Sequence, residues 1–200
     1  FGLRAGDPGL AEVTAAATAH QSPEGAYQSL VNNSPAFGGS GVNQWSWLAC
    51  DAPTVLYALL ALNVECDANL QRAIEHLASL VTPAGWQCTV APELGKFRGP
   101  GRKSDPCPMA NVYALKALSL APTTHDNTAT RSGAEMLLRH WEQRDKIKPY
   151  LFGIGSDFRK LKYPFVWYDL LHVLFTLSRF DFIKTDPRFG EMRATLQSQS

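Results

Sequence analysis

One short phrase recurs in this chain, and a recurring phrase limits the possible folds more than any local signal does. It reads Asp7-Pro8-Gly9-Leu10, then Asp67-Ala68-Asn69-Leu70, then Asp186-Pro187-Arg188-Phe189. Each copy opens an apolar-periodic segment. The first two segments run into loops holding a glycine and an aromatic, Gly25 to Tyr27 and Gly85-Trp86. Repeated units cannot bury their apolar faces alone and must stack on their neighbours. A stacked-repeat architecture is therefore the first expectation.

The periodicity between the phrases predicts helices. Leu10 to Ala19 is alanine-rich, with Leu10, Val13, Ala16 and Ala17 on one face, Asp7 as cap and Pro8 in the first turn. His20 to Gln44, rich in glycine and amides, reads as a long loop. Asp51 is placed to cap an almost wholly apolar helix, Thr54 to Leu62, and such a helix is expected to be buried on every side. Asp67 caps an amphipathic helix to about Leu80, with Leu70, Ile74, Leu77 and Ala78 inward. The alternation continues with a loop at Ala91 to Pro108, an apolar helix at Met109 to Leu120 and an amphipathic one from Ala129 to about Arg144. After a basic loop, Lys146 to Lys162, come an apolar helix at Pro164 to Phe180 and an amphipathic one at Asp186 to Leu196.

Buried helices alternating with one-faced helices imply two layers, an inner and an outer. The expected fold is all-α, a single domain over 1–200: a partial or truncated α/α toroid or an open solenoid, with inner helices starting near Asp51, Met109 and Val166. Their starts and the long loops then share one rim, and the short turns at Asn63 to Asp67, Ala121 to Thr128 and Asp181 to Asp186 mark the other end. The chain opens at Phe1 inside a continuing pattern, which suggests a processed or truncated product, a fragment of a longer chain. Flanking sequence or self-association would then complete the ring.

Composition narrows the partners. The formal charge is only +1 with 45% apolar residues, which argues against a nucleic-acid binder. No apolar run approaches the roughly 20 residues that span a bilayer. Four cysteines, Cys50, Cys66, Cys88 and Cys107, in a chain long enough to build its own core suggest reduced thiols and a cytoplasmic setting.

The hairpin periodicity, the Gly85-Trp86 turn after an outer helix, and the inner helices resemble the squalene/terpene cyclase and protein prenyltransferase β-subunit superfamily. The strings Arg98-Gly99-Pro100-Gly101-Arg102-Lys103 and Tyr163-Pro164 to Leu171 resemble small uncharacterised bacterial members of that group. The resemblance covers most of the chain and implies an α/α toroid. A full ring in that family has about six hairpins, and this chain supplies about three and a half. The acidic Asp-x-Asp-Asp and Asp-Asp-x-x-Asp clusters of the cyclases do not occur here. Prenyltransferases hold zinc through an Asp-x-Cys pair at an inner-helix start and a later histidine. Asp105-Pro106-Cys107 and His172 match that order, so the resemblance implies zinc on these residues.

The residues themselves point to the same rim. Cys107 sits at a helix start, whose positive end favours a thiolate. Cys50 precedes Asp51 at the previous inner helix, and Cys88 follows Trp86 in the adjoining loop. Zinc accepts sulfur and imidazole in tetrahedral sets, so Cys107, Cys88 and Cys50 with His172 or His140 are the candidate metal ligands, to which the resemblance adds Asp105; buried inert cysteines are the other reading. Asp169 and His172, three apart on one helical face, are candidate acid/base residues, or a satisfied polar pair, or Asp169 caps a helix that starts later. Lys96, Arg98, Arg102 and Lys103 in a glycine-rich loop, with Arg159, Lys160 and Lys162 in the next, suit an anion. Trp86 and Trp167, with Trp45, Trp47, Tyr163, Phe165 and Tyr168, either line an apolar pocket or plug the ring. Asp51, Glu93 and Asp105 are the rim acids for a paired-carboxylate reading. Two functions stay open. One is a domain that binds an apolar or anionic small molecule or a partner. The other is a zinc-dependent enzyme acting on an isoprenoid-like prenyl diphosphate.

Overall fold

The computed structural model describes residues 2–95, 104–146, 152, 154–162 and 166–199. Among these, helices dominate. The α-helices are α1 (Leu10–Thr18), α2 (Ala52–Ala61), α3 (Ala68–Ser79), α4 (Pro108–Leu118), α5 (Thr128–Glu142), α6 (Ser156–Arg159), α7 (Leu170–Leu177) and α8 (Pro187–Gln197). None is long and apolar enough to cross a membrane. The stretch read as one long loop contains β1 (Ser29–Val31), which pairs antiparallel with β2 (Gln44–Ser46). The all-α expectation is corrected to that extent. The signal was short: three residues of ladder, with Leu30 opposite Trp45 and both exposed.

The repeated aspartate works where the chain lets it. Asp67 accepts from the backbone N–H of Asn69 and Leu70, and Asp186 from that of Arg188, so both cap their helices. Asp7 does not. Gly9 occupies the N-cap of α1 at φ 83°, and Asp7 accepts from the backbone N–H of Arg4 instead. Asp51 stands at the N-cap of α2 but makes no cap bond; its carboxylate takes the Ser29 hydroxyl. Asn127 and Thr130 close a reciprocal capping box on α5.

Packing sorts the helices into two rows. α4 packs on α2 and α7, while α5 packs on α3 and α8. Each helix of the row α2, α4 and α7 also packs on one of the other row: α2 on α3, α4 on α5, α7 on α8. Leu115, Leu118, Ala114 and Ala117 of α4 are fully buried between the rows. The Gly85-Trp86 turn is clamped by Asn111, whose Oδ1 accepts from Trp86 N and whose Nδ2 donates to the carbonyls of Trp86 and Cys107. Gly85 has φ 97°, and a Cβ there would fall 2.5 Å from Asn111 Oδ1, so only glycine fits. Contrary to the expected inward face, no residue of α1 is buried, and Val13 is 57% exposed. Alanine methyls offer too little apolar area to hold a nine-residue helix against the core.

Candidate functional site

α4 carries one charge in an apolar run, Lys116. The row of α2, α4 and α7 makes it the centre of a polar site. Lys116 is only 9% exposed, and its ammonium lies 4.6 Å from the Tyr57 ring of α2 and 5.9 Å from the Phe175 ring of α7. It also lies 3.4 Å from Nε2 of His172. Arg179, just beyond α7, places its guanidinium 4.6 Å from the same Phe175 ring, and its buried Nε has no hydrogen-bond partner. Among the described residues neither cation has a carboxylate at ion-pair distance. Burial lowers the lysine pKa, and the neighbouring Arg179 lowers it further.

His172 is fully buried, and its two ring nitrogens are assigned by their neighbours. Nδ1 lies 2.8 Å from the Trp167 carbonyl, so it carries the proton and donates; Nε2 is then the acceptor for the Lys116 ammonium. Burial pushes the imidazole pKa down and Lys116 adds to this, against the Trp167 carbonyl and Asp169. Asp169 Oδ1 accepts from the backbone N–H of His172, capping α7. The helix therefore starts at Leu170, not near Pro164 or Val166. Asp169 serves the backbone at the helix start, and its Oδ2 is buried without a partner. Tyr113 stands 5.7 Å from His172, ring to ring, and its hydroxyl donates to the Val166 carbonyl.

The cysteines converge by a different device. Short extended segments meet through the Leu48–Val90 and Gln87–Pro106 bridges, with Ala49 N–H donating to Thr89 and Cys107 N–H to Trp86. This brings Cys50, Cys88 and Cys107 onto adjoining segments. Burial pushes the Cys50 thiol up to about 12, with Cys107 and Cys88 adding to it. It pushes Cys107 up to about 11, although the N–H groups of Ala110 and Met109 favour the thiolate. The expected activation of Cys107 by the helix end is thus outweighed by desolvation. Among the described residues no three His, Cys, Asp or Glu side chains form a group able to hold a metal.

The remaining candidates separate. Trp86 is fully buried, its indole N–H donates to the Leu77 carbonyl at 2.8 Å, and a Cβ on Gly133 would strike its ring at 2.3 Å. It is a core residue. Trp167 is 50% exposed, with the Lys162 ammonium 5.7 Å from its ring. Asp105 is half-buried beside Cys107. Lys96, Arg98, Arg102, Lys103, Tyr163 and Phe165 lie outside the described residues. Sequence reasoning missed Lys116, Arg179, Tyr57 and Phe175. The available signal was the lone lysine in an apolar helix, where a charge is rarely buried without a specific partner.

Compared with known proteins, the chain matches no family model, no curated sequence and no solved structure.

Proposed function

We propose that this chain is a ligand-binding domain whose inner-row face takes an amphipathic anion, a carboxylate or phosphate on an apolar stem. One observation carries the reading: Lys116 and Arg179 meet over Phe175 with no carboxylate among the described residues to neutralise them. A buried cation without a counter-charge is costly, and an anionic head group would offset that cost. Tyr57, Tyr113 and Phe175 supply apolar surface for the stem. The neutral His172 keeps a third charge away and orients the lysine. The two-row packing supports the finer fold reading as well, an arc of an α/α toroid resembling the cyclase and prenyltransferase superfamily. In that arc α2, α4 and α7 would be the inner helices, and flanking sequence or a second copy would continue the ring. Binding is favoured over turnover because the acidic clusters that start cyclase chemistry are missing from the sequence. Cys50, Cys66, Cys88 and Cys107 are thiols rather than disulfides, which suits a reducing, cytoplasmic setting.

The test uses decyl phosphate, decanoate and the uncharged decanol, titrated by calorimetry. Saturable binding of at least one anion is expected. Lys116→Met and Arg179→Met should each weaken it about tenfold or more, the loss of one charge-assisted hydrogen bond. Decanol binding as tightly as both anions, or variants that bind the anions unchanged, overturns the assignment.

A further inference from the structure

The surroundings of Lys116 suit bond formation as well as charge. An ammonium has three N–H groups, and among the described residues the one acceptor for them is His172 Nε2 at 3.4 Å. The Tyr57 ring covers a second side, 4.6 Å from the nitrogen to its centre. Tyr57, Phe175 and Arg179 are themselves only half-buried, so the face on which the nitrogen lies reaches solvent. Burial and the neighbouring Arg179 both favour the neutral amine. A lysine desolvated among apolar groups and set beside another cation is the kind that attacks a carbonyl carbon.

Arg179 differs from it in what it can do. Its guanidinium lies 4.6 Å from the same Phe175 ring that the Lys116 nitrogen approaches at 5.9 Å, and its buried Nε has no hydrogen-bond partner. A guanidinium is a planar fork that matches a carboxylate. It holds an anion, whereas the amine can bond to carbon. Both groups flank one aromatic ring, so a single small molecule can meet both.

Resting on the anion-binding reading of this face, we infer that its ligand is a carbonyl acid, an acid whose apolar stem also carries an aldehyde or ketone, and that Lys116 captures it as an iminium while Arg179 holds the carboxylate. In that step the ammonium passes a proton to His172 Nε2, and the freed amine attacks the carbonyl carbon. The N–C bond forms as the C=O π bond breaks, and the oxygen becomes a hydroxyl by taking the proton held on His172. A second proton moves from nitrogen to that hydroxyl by the same route. Water leaves, and the nitrogen lone pair closes the C=N bond. One ammonium and one carbonyl give one iminium and one water, with no oxidant or reductant and no change of charge. His172 Nδ1 stays with the Trp167 carbonyl throughout, which keeps Nε2 toward the lysine.

The probes are para-carboxybenzaldehyde and benzaldehyde, each with sodium cyanoborohydride, which reduces an iminium to a stable secondary amine. Labelled lysines are located by mass spectrometry of peptides. Lys160 and Lys184, with side chains 67% and 58% exposed, are the internal standards for the different reactivity of the two aldehydes. Relative to those standards, Lys116 should take the carboxylated aldehyde about tenfold faster than benzaldehyde, the worth of one charge-assisted hydrogen bond. Decanoate should protect Lys116 and leave the standards unchanged. Arg179→Met should bring the two aldehydes within about twofold of each other at Lys116. The comparison on the unmodified protein needs no variant, so a folding defect cannot obscure it. An unlabelled Lys116, or one labelled equally by the two aldehydes, overturns the inference. Anions that bind by calorimetry while Lys116 stays unlabelled leave the anion site standing and overturn the capture alone. No anion binding, together with no preference for the acid, overturns both.

Discussion

α2 and α4 look alike as strings and differ as parts. α2 has no charge and no amide, yet only Pro53, Leu56 and Leu59 of its ten residues are buried. α4 carries Asn111 and Lys116, yet nine of its eleven residues are buried, both polar ones included. Neighbours explain the inversion. Among the described helices α4 packs closely on α2, α7 and α5, whereas α2 packs closely on α4 and α3. Burial on every side was therefore the right reading for α4 and the wrong one for α2. Apolarity permits burial, and position in the row delivers it. Polar groups inside α4 survive because each has bonding partners. Asn111 satisfies three backbone groups, and Lys116 has an imidazole acceptor.

The contrast between interior and edge can be broken at several strengths. The largest effect belongs to Trp86→Ala, which empties the most enclosed ring and strands the Leu77 carbonyl. About 3–5 kcal/mol of stability should be lost in urea unfolding, and a loss below about 1 kcal/mol would show that the centre of the rows is not the stabilising core. The sharpest comparison is one substitution in both helices. Leu115→Ala in α4 should cost about 2–5 kcal/mol, and Leu60→Ala in α2, where the side chain is only half-buried, about 1 kcal/mol or less. Equal costs would erase the difference between the two helices.

A third effect is pH-dependent. His140 in α5 is 3% exposed and accepts from the Tyr168 hydroxyl at 2.7 Å; burial pushes its pKa down from 6.5 to about 4. The native state keeps it neutral while the unfolded chain protonates it near 6.5. Stability from this group is thus full above about pH 6.5 and falls as pH drops, its loss complete near pH 4 at about 3 kcal/mol. His140→Gln, which preserves an acceptor for Tyr168, should flatten that slope between about pH 6.5 and 4; an unchanged slope assigns it to other groups. The smallest effect is Lys116→Met. Removing a buried, uncompensated cation should leave stability within about 1 kcal/mol or raise it, in contrast to its loss of anion binding. A cost of several kcal/mol would mean that the lysine holds the rows together.

Much of this was legible, for local reasons. A cap acts within one turn, so Asp67 and Asp186 could be read as helix starts. Asp7 failed because Gly9 adopts the left-handed conformation at the cap position, and Asp51 because Ser29, twenty-two residues earlier, reaches its carboxylate. The placing of Cys50, Cys88 and Cys107 on adjoining segments was readable from where the apolar helices begin. The upward push on the Cys50 and Cys107 thiols was not, since burial is a property of the packed whole. Trp86 was read as a rim aromatic, but nothing in its own segment says that Gly133 and Leu77 close over it.

The sequence by itself determined the alternation of apolar and amphipathic helices and two of the three repeated caps. Those depend on period and on side chains within a few residues of the backbone they serve. Only the tertiary structure decided which apolar helix would be covered, that Asp169 would serve the backbone, and that Lys116 would meet His172 across 56 residues of chain. Contacts between distant residues are set by which rows pack against each other, and that is decided by the summed burial of all the helices at once.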